Sequence, residues 1–308
     1  MDRAEAVPGH SEGEHVVLTE SATTMMEDIK AFIKTGIINS NLMMVFAGFW
    51  LALHFSGESF RGNWNTFIWT MLGSGLVIAG GCILNNWYDV DIDPVMERTR
   101  KRPTVTGRIP LSTALILGIS TTILGIAILL LASVAAALIA FGGWFAYVVL
   151  YTIWTKRRYT LNTAVGSLSG AVPPLIGWAA IESRPHIVVV VLFLIMFVWQ
   201  TPHFLALAMK KNEEYKAAEI PMLPAVYGFA FTKRQIVIYI ACLLPMPFYM
   251  ADLGTVFVAV ATLLNLGWLG AGVAGFIMKD DLKWANIIFV YSLNYLMVLF
   301  IAIVIAGF

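Results

Sequence analysis

The stretch Leu84–Pro103 reads LNNWYDVDIDPVMERTRKRP, and in it Asn85, Asp89 and Asp93 recur at four-residue steps. A step of four advances about 400° round an α-helix, so the three side chains form one slowly drifting stripe. Asp91 falls roughly 200° away and is left out of it. The stripe closes a long apolar run, so it sits at the mouth of a membrane helix. Two carboxylates and an amide there offer oxygen ligands to a hard cation. Mg²⁺ typically sits between one or two carboxylates and a substrate phosphate. Arg98, Arg100, Lys101, Arg102 and Arg108 follow closely. Their donors suit phosphate oxygens. Together these residues are what a diphosphate site needs.

The rest of the chain has the composition of a membrane protein. It is 59% hydrophobic and 13% charged over 308 residues, where a soluble domain carries about 25% charged residues. Apolar runs near the roughly 18 residues needed to cross a bilayer recur nine times. They lie at about 36–55, 66–88, 111–131, 134–154, 162–181, 187–208, 235–253, 255–277 and 285–306. The stretch 111–154 is divided near Ser133, because one helix of that length would be about 66 Å long. The expected fold is therefore all-α: a polytopic membrane protein of nine transmembrane helices.

Lysine and arginine orient the bundle. With a cytoplasmic N-terminus, all of the 20 basic residues except Arg61 and Arg184 fall on the inner side. The C-terminus is then outside. Residues 1–28 are polar and acid-rich, with no apolar signal-type core. They are expected to form a mobile cytoplasmic tail, followed by one transmembrane domain over 29–308. Cys82 and Cys242 both fall in apolar runs, where a free cysteine is ordinarily a small buried residue.

The outer loops are short, whereas two inner loops, about 89–110 and 209–234, are long and polar. Long loops gathered on one face usually carry function. Each begins in acidic residues, passes through basic ones and restarts a span after Pro and Gly, a weak sign of internal duplication. Lys210, Lys211, Glu213, Glu214 and Tyr215 open the second loop. They either close a phosphate site from the second side or form a charged helix end at the membrane surface. Lys156 and Arg157, at the inner end of span four, carry the same two readings. Asn162, Gln200 and His203 are polar residues in or at the ends of spans, where they are costly. Pro202 removes a ladder bond beside His203. His203 could ligate a metal, donate to a carboxylate or hydrogen-bond across helices. His54, at the outer end of span one, reads as an interfacial residue.

The Asn85, Asp89, Asp93 stripe resembles the first aspartate-rich motif of the UbiA superfamily of intramembrane prenyltransferases. NNWYDVDIDPVMERTRKRP, YTIWTKRRYTLNTAVGSLSGAVPPLIGW, WQTPHFLALAMKK and EEYKAAEIPMLPAVYG are similar to segments of its haem-modifying branch. The likeness runs from about 30 to 306 and is nearest the form found in Bacillus-like bacteria. It implies a cytoplasm-facing prenyltransferase site in a bacterial plasma membrane. It further implies farnesyl transfer from farnesyl diphosphate to a vinyl group of haem B, with Mg²⁺ as cofactor. Catalytic roles then fall to Asn85, Asp89, Asp93, Lys156, Glu214 and Tyr215, with the first three as metal ligands. Diphosphate binding falls to Arg98, Arg102, Lys156, Arg157, Lys210 and Lys211. Asn162, Gln200 and His203 would face the haem cavity. Haem A synthase becomes a candidate partner, and no nucleic acid is expected.

One feature departs from the wider superfamily. Many members carry DxxxD after span six, where this chain has Lys210–Tyr215, KKNEEY. The haem branch shows a similar replacement, an acidic residue followed by Tyr. A lysine on the diphosphate would supply the charge of a second metal. Two other readings share these residues: a UbiA-type enzyme acting on an aromatic quinone precursor or chlorophyll-like ring, and a transporter. A transporter would place charges or broken helices near the bilayer midplane. Here the strong charges gather at one face.

Overall fold

The computed structural model describes residues 25–307. Among them no strand occurs, and eight helices are long and apolar enough to cross a membrane. A short helix α1, 25–33, leads into α2 (Thr35–Ser56) and α3 (Trp64–Tyr88). Helix α4 (Leu111–Ala132) is separated from α5 (Val134–Phe145) by Ser133, whose side chain caps α5 by accepting from Ala136 N. Helix α5 continues without a break as a π-helix, Ala146–Thr155. Then come α6 (Asn162–Ala171), α7 (Pro173–Ala179), α8 (Ile187–Lys210) and the surface turn α9 (Asn212–Ala217). Helices α10 (Leu223–Cys242), α11 (Thr255–Ala274) and α12 (Asp281–Ala306) complete the bundle.

The nine-span expectation needs one correction. The run 162–181 is not one helix but α6 and α7, of 10 and 7 residues. Pro173 and Pro174 follow the break at Val172, and neither can donate to a helical ladder. Apolar composition alone does not register that interruption. Of the tail expected over 1–28, residues 1–24 lie outside the described residues, while 25–28 already belong to α1. Cys82 is buried as expected, but Cys242 is exposed near the end of α10.

Two apolar clusters hold the bundle. One joins α2, α8, α10, α11 and α12 around fully buried Trp268, Trp284 and Tyr295. The other joins α2, α3, α4, α5 and α7 around Phe49 and Leu129. Where α2 meets α7, the backbones touch. A Cβ at Gly48 would collide with the Pro174 carbonyl, and one at Gly177 with the Val45 carbonyl. Small residues are what allow such an approach between membrane helices. The broken segment is thereby fixed against α2, and its neighbour α6 packs beside α8 and the π-helix. Large apolar side chains such as Ile116, Ile123 and Leu131 face outward from α4, as a lipid-facing surface requires.

The two long loops pack on each other. Met96 of the first is buried with Ala218, Ile220 and Met222 of the second. They form one cap over the same end of the bundle.

Candidate active site

The backbone ladder of α3 does not stop at Tyr88. Asp89 N donates to Asn85 O at 3.0 Å, and Asp93 N donates to Asp89 O at 2.9 Å. These i to i−4 bonds carry the helical stagger past the formal end, so Asn85, Asp89 and Asp93 stack in one line. Their exposures are 4%, 0% and 2%. The Asp91 side chain turns the other way and is 60% exposed.

Each member of the stripe meets its own basic residue. Lys34 Nζ donates to Asn85 Oδ1. Lys156 Nζ pairs with Asp89 Oδ2, and Arg102 Nη1 with Asp93 Oδ2. Asn85 Nδ2 donates to Asp89 Oδ2 at 2.9 Å and to Thr152 Oγ1 at 3.1 Å. Burial pushes the Asp93 carboxyl up, with Arg102 opposing the shift. Burial also drives the Lys34 ammonium down to about 7, and nearby Arg102 pushes the same way. Arg157 is occupied elsewhere. It grips Asp91 through two 2.7 Å hydrogen bonds, which hold the Asp91 carboxyl below its ordinary range. Its Nη2 also donates to Tyr88 O at 2.8 Å and lies 3.5 Å from Asp89 Oδ1.

The π-helix supplies a wall that side-chain pattern alone does not reveal. Lys156 N donates to Tyr151 O at 2.8 Å, five residues back as a π ladder requires, and the side-chain Oγ1 of Thr152 donates to Tyr147 O at 2.9 Å. Such ladders cluster at functional sites. This one turns Tyr147, Tyr151 and Lys156 toward the cavity and sets Thr152 against Asn85.

The cavity itself is about 450 Å³, within the range of small-molecule sites. Its cationic mouth is formed by Lys34, Arg98, Arg102 and Lys156, with Asn85 and Asp93 beside them. Its interior is apolar, lined by Val77, Ile78, Trp144, Val172 and Ile176. A third flank carries Gln200, His203, Trp199 and Phe289. The His203 ring lies between Trp199 (centroids 5.0 Å apart) and Phe289 (4.8 Å), and Nδ1 is 2.7 Å from Ser292 Oγ.

Of the residues singled out in the sequence, the cavity brings together Asn85, Asp93, Arg98, Arg102, Lys156, Asn162, Gln200, His203 and Tyr215. Asn162 is 1% exposed and donates to the Lys156 carbonyl at 3.2 Å and to the Pro221 carbonyl at 3.5 Å, tying the turn after the π-helix to the second loop. Tyr215 lies in α9 at the mouth, and burial raises its hydroxyl pKa. Asp89 stands behind the lining. Arg157, Lys210, Lys211 and Glu214 do not line the cavity either. Lys210 Nζ donates to Asn286 Oδ1 at 2.6 Å and sits over the Phe289 ring. Lys211 pairs with Glu214 at 2.7 Å. Lys34 and Tyr147 belong to the site but lie outside the quoted segments, and Tyr151 and Thr152 open one of those segments without standing out as site residues. Lys34 registers in the sequence only as one more cytoplasmic charge.

The residues fit a divalent cation. Asp89 Oδ1 is buried with no hydrogen-bond partner. Among the described residues no three His, Cys, Asp or Glu side chains form a complete metal cage. The donor set is two carboxylates and an amide, which suits an ion that takes its remaining ligands from phosphate and water.

The sequence pattern of the UbiA prenyltransferase family matches residues 41–294. The protoheme IX farnesyltransferase of Oceanobacillus iheyensis is 63% identical over 274 residues, covering 89% of this chain and 87% of that one. Protoheme IX farnesyltransferase 2 of Bacillus subtilis strain 168 is 59% identical over 92% of this chain and 93% of its own length. A solved digeranylgeranylglyceryl phosphate synthase shares the fold at TM-score 0.73 and 17% identity, over 92% of this chain and 98% of that one. A UbiA homolog from Archaeoglobus fulgidus, bound to DMAPP and Mg²⁺, superposes at TM-score 0.68 and 13% identity, over 88% and 99%. The stripe, the capped cavity and these likenesses agree, and the chain belongs to the UbiA prenyltransferase family.

Proposed function

We propose that this protein transfers the farnesyl group of farnesyl diphosphate to a vinyl group of haem B (protohaem IX). Water is added in the same reaction, and haem O and diphosphate are the products. One observation carries the reading: a single cavity joins a cationic mouth to an apolar, aromatic-walled interior. A prenyl diphosphate has that same division of charge along its length. The high identity to protoheme IX farnesyltransferases selects the acceptor.

Asn85, Asp89 and Asp93 would hold Mg²⁺, which when bound neutralises charge on the diphosphate and makes it a better leaving group. Arg98, Arg102 and Lys156 line the mouth, where their donors meet charge developing on the departing oxygens. Val77, Ile78, Trp144 and Ile176 would enclose the isoprenoid chain and keep water from the allylic carbon. Tyr147 and Tyr151 line the same wall, and an aromatic ring there would suit a carbon bearing partial positive charge. His203, Gln200 and Phe289 form the flank against which the macrocycle would lie. Haem is a substrate here, so no permanent axial ligand is required. Lys210 and Lys211 belong to the cap, with Lys210 turned toward Asn286 of α12 and Lys211 paired with Glu214. Haem A synthase, which would consume the product, is the natural partner.

Purified protein given haem B, farnesyl diphosphate and Mg²⁺ should yield a haem heavier by one farnesyl group and one hydroxyl group. Mass spectrometry of the extracted haem checks this. An unchanged haem mass beside a prenylated quinone precursor would move the acceptor to another class.

The charge distribution supports a cap facing the cytoplasm of a bacterial cell; with α6 and α7 together crossing as a broken ninth span, the C-terminus would lie outside. In a background lacking native cysteines, Thr106→Cys should react with an impermeant thiol reagent only from the cytoplasmic side. Ser183→Cys should react only from outside. Both positions are exposed, and Thr106 avoids the positive φ of Gly107 (77°). Labelling in the opposite sense would invert the protein and place the site on the wrong face.

A further inference from the structure

Lys34 occupies an unusual position. It is the single residue between α1 and α2, with φ 56° and ψ 60°, a left-handed conformation that side chains with a Cβ avoid. That turn directs its ammonium into the cavity mouth beside Arg102 and Lys156. Asp93 already pairs with Arg102, and Asp89 with Lys156 and Arg157. Lys34 makes no ion pair among the described residues, and its hydrogen-bond partner is the neutral Asn85 amide. A half-buried cation gathered with others of its own sign is costly unless an anion joins them.

The segment that carries Lys34 is fastened in place. Asn86, fully buried, donates from Nδ2 to the Phe32 carbonyl at 2.8 Å. Phe32 is 5% exposed, packed with Ile83 and Ala114. Asp28 pairs with Arg108 of the first loop at 2.8 Å. Helix α1 is thus a strap across the mouth, held to α3, α4 and the cap.

We propose that Lys34 is a diphosphate-binding residue, delivered by the α1 strap, and that Asn86 is the positioning residue that keeps it there. This rests on the prenyl diphosphate reading of the cavity. On substrate entry the ammonium exchanges the Asn85 oxygen for a diphosphate oxygen. The same movement frees that oxygen for the cation.

The test uses the full-length protein in detergent, with inorganic pyrophosphate and Mg²⁺ as the probe. Dissociation constants are measured for wild type, Lys34→Gln, Lys34→Arg, Asn86→Ala and the Lys34→Gln/Asn86→Ala double variant. Loss of one charge-assisted contact should weaken pyrophosphate binding by about ten- to a hundredfold in Lys34→Gln. Lys34→Arg should recover most of it. Asn86→Ala should weaken binding in the same direction, and the double variant should be no worse than Lys34→Gln, as expected when both act through one contact. Lys34→Met is a second neutral variant should Lys34→Gln fail to accumulate. Unchanged pyrophosphate affinity in the neutral variant overturns the proposal, even if turnover falls, because Lys34 would then only orient Asn85. Additive losses in the double variant overturn the role of Asn86. Haem turnover by wild type, assayed in parallel, tests the proposed function separately. Its failure alongside Lys34-dependent pyrophosphate binding would sink that reading alone.

Discussion

Asp89→Asn is expected to lower the rate of farnesyl transfer by about a thousandfold or more. The substitution keeps the shape of the side chain and removes its charge from the centre of the site. Asp89 is fully buried, accepts from Asn85 and holds Lys156, with Arg157 alongside. Its Oδ1 accepts no hydrogen bond, with Arg157 Nη2 3.5 Å away, and is the oxygen that the proposed cation would take. Losing the carboxylate would therefore remove a ligand of the proposed metal and release Lys156 from its place. Asp91→Asn should cost less than about tenfold, because Asp91 is largely exposed and reaches the site only through Arg157. Initial rates on variants that elute as single species check the contrast. Equal losses for the two would sink the assignment of the chemistry to one face of α3.

Gly177→Leu should have the largest effect on folding. A Cβ there meets the Val45 carbonyl and the Phe49 amide of α2, which cannot rotate aside as a side chain can. Overpacking of side chains typically costs about 1–3 kcal/mol, and a backbone clash should exceed about 3 kcal/mol. The variant should accumulate poorly, or unfold at a much lower temperature in detergent. Gly142→Ala is the comparison. Nothing lies within 4 Å of a Cβ at that position, so it should be stable or gain about 0.5–1 kcal/mol. Wild-type thermal stability in Gly177→Leu would show that α2 and α7 can part without consequence.

The ease with which features can be read from sequence follows their range. The Asn85, Asp89, Asp93 stripe is legible because four-residue spacing survives the transition from helix to turn through continuing i to i−4 bonds. The exclusion of Asp91 is legible for the same reason, although its hold on Arg157, 66 residues away, is not. Apolar runs reveal the continuous spans. They hide the break at Val172, since hydropathy counts side chains and the break comes from missing N–H groups at Pro173 and Pro174. Lys34 escapes notice because its importance depends on a left-handed turn and on a partner 51 residues away. Lys210 and Lys211 attract notice as charges beside a motif. Their directions are set by the end of α8, by Asn286 and by Glu214, none of which spacing reveals. Tyr147 and Tyr151, four residues apart, would share a face under a period of 3.6 as well; what that period misses is Lys156, five residues beyond Tyr151, which joins them on the cavity wall through a five-residue ladder step.

That ladder has a consequence for how the chain can change in length. A π segment is a helix carrying surplus residues, and its hydrogen bonds have poorer geometry than those of an α-helix. Ten residues wound this way, Ala146–Thr155, could shed one and close into a regular α-helix. The shortened chain would be the easier one to fold. It would also rotate its side chains by about 100° for the residue removed, taking one of the two tyrosines off the cavity wall. Selection for stability and selection for the site therefore pull in opposite directions on a single-residue deletion. The number of residues between Trp144 and Lys156, more than the identity of those residues, records which has prevailed.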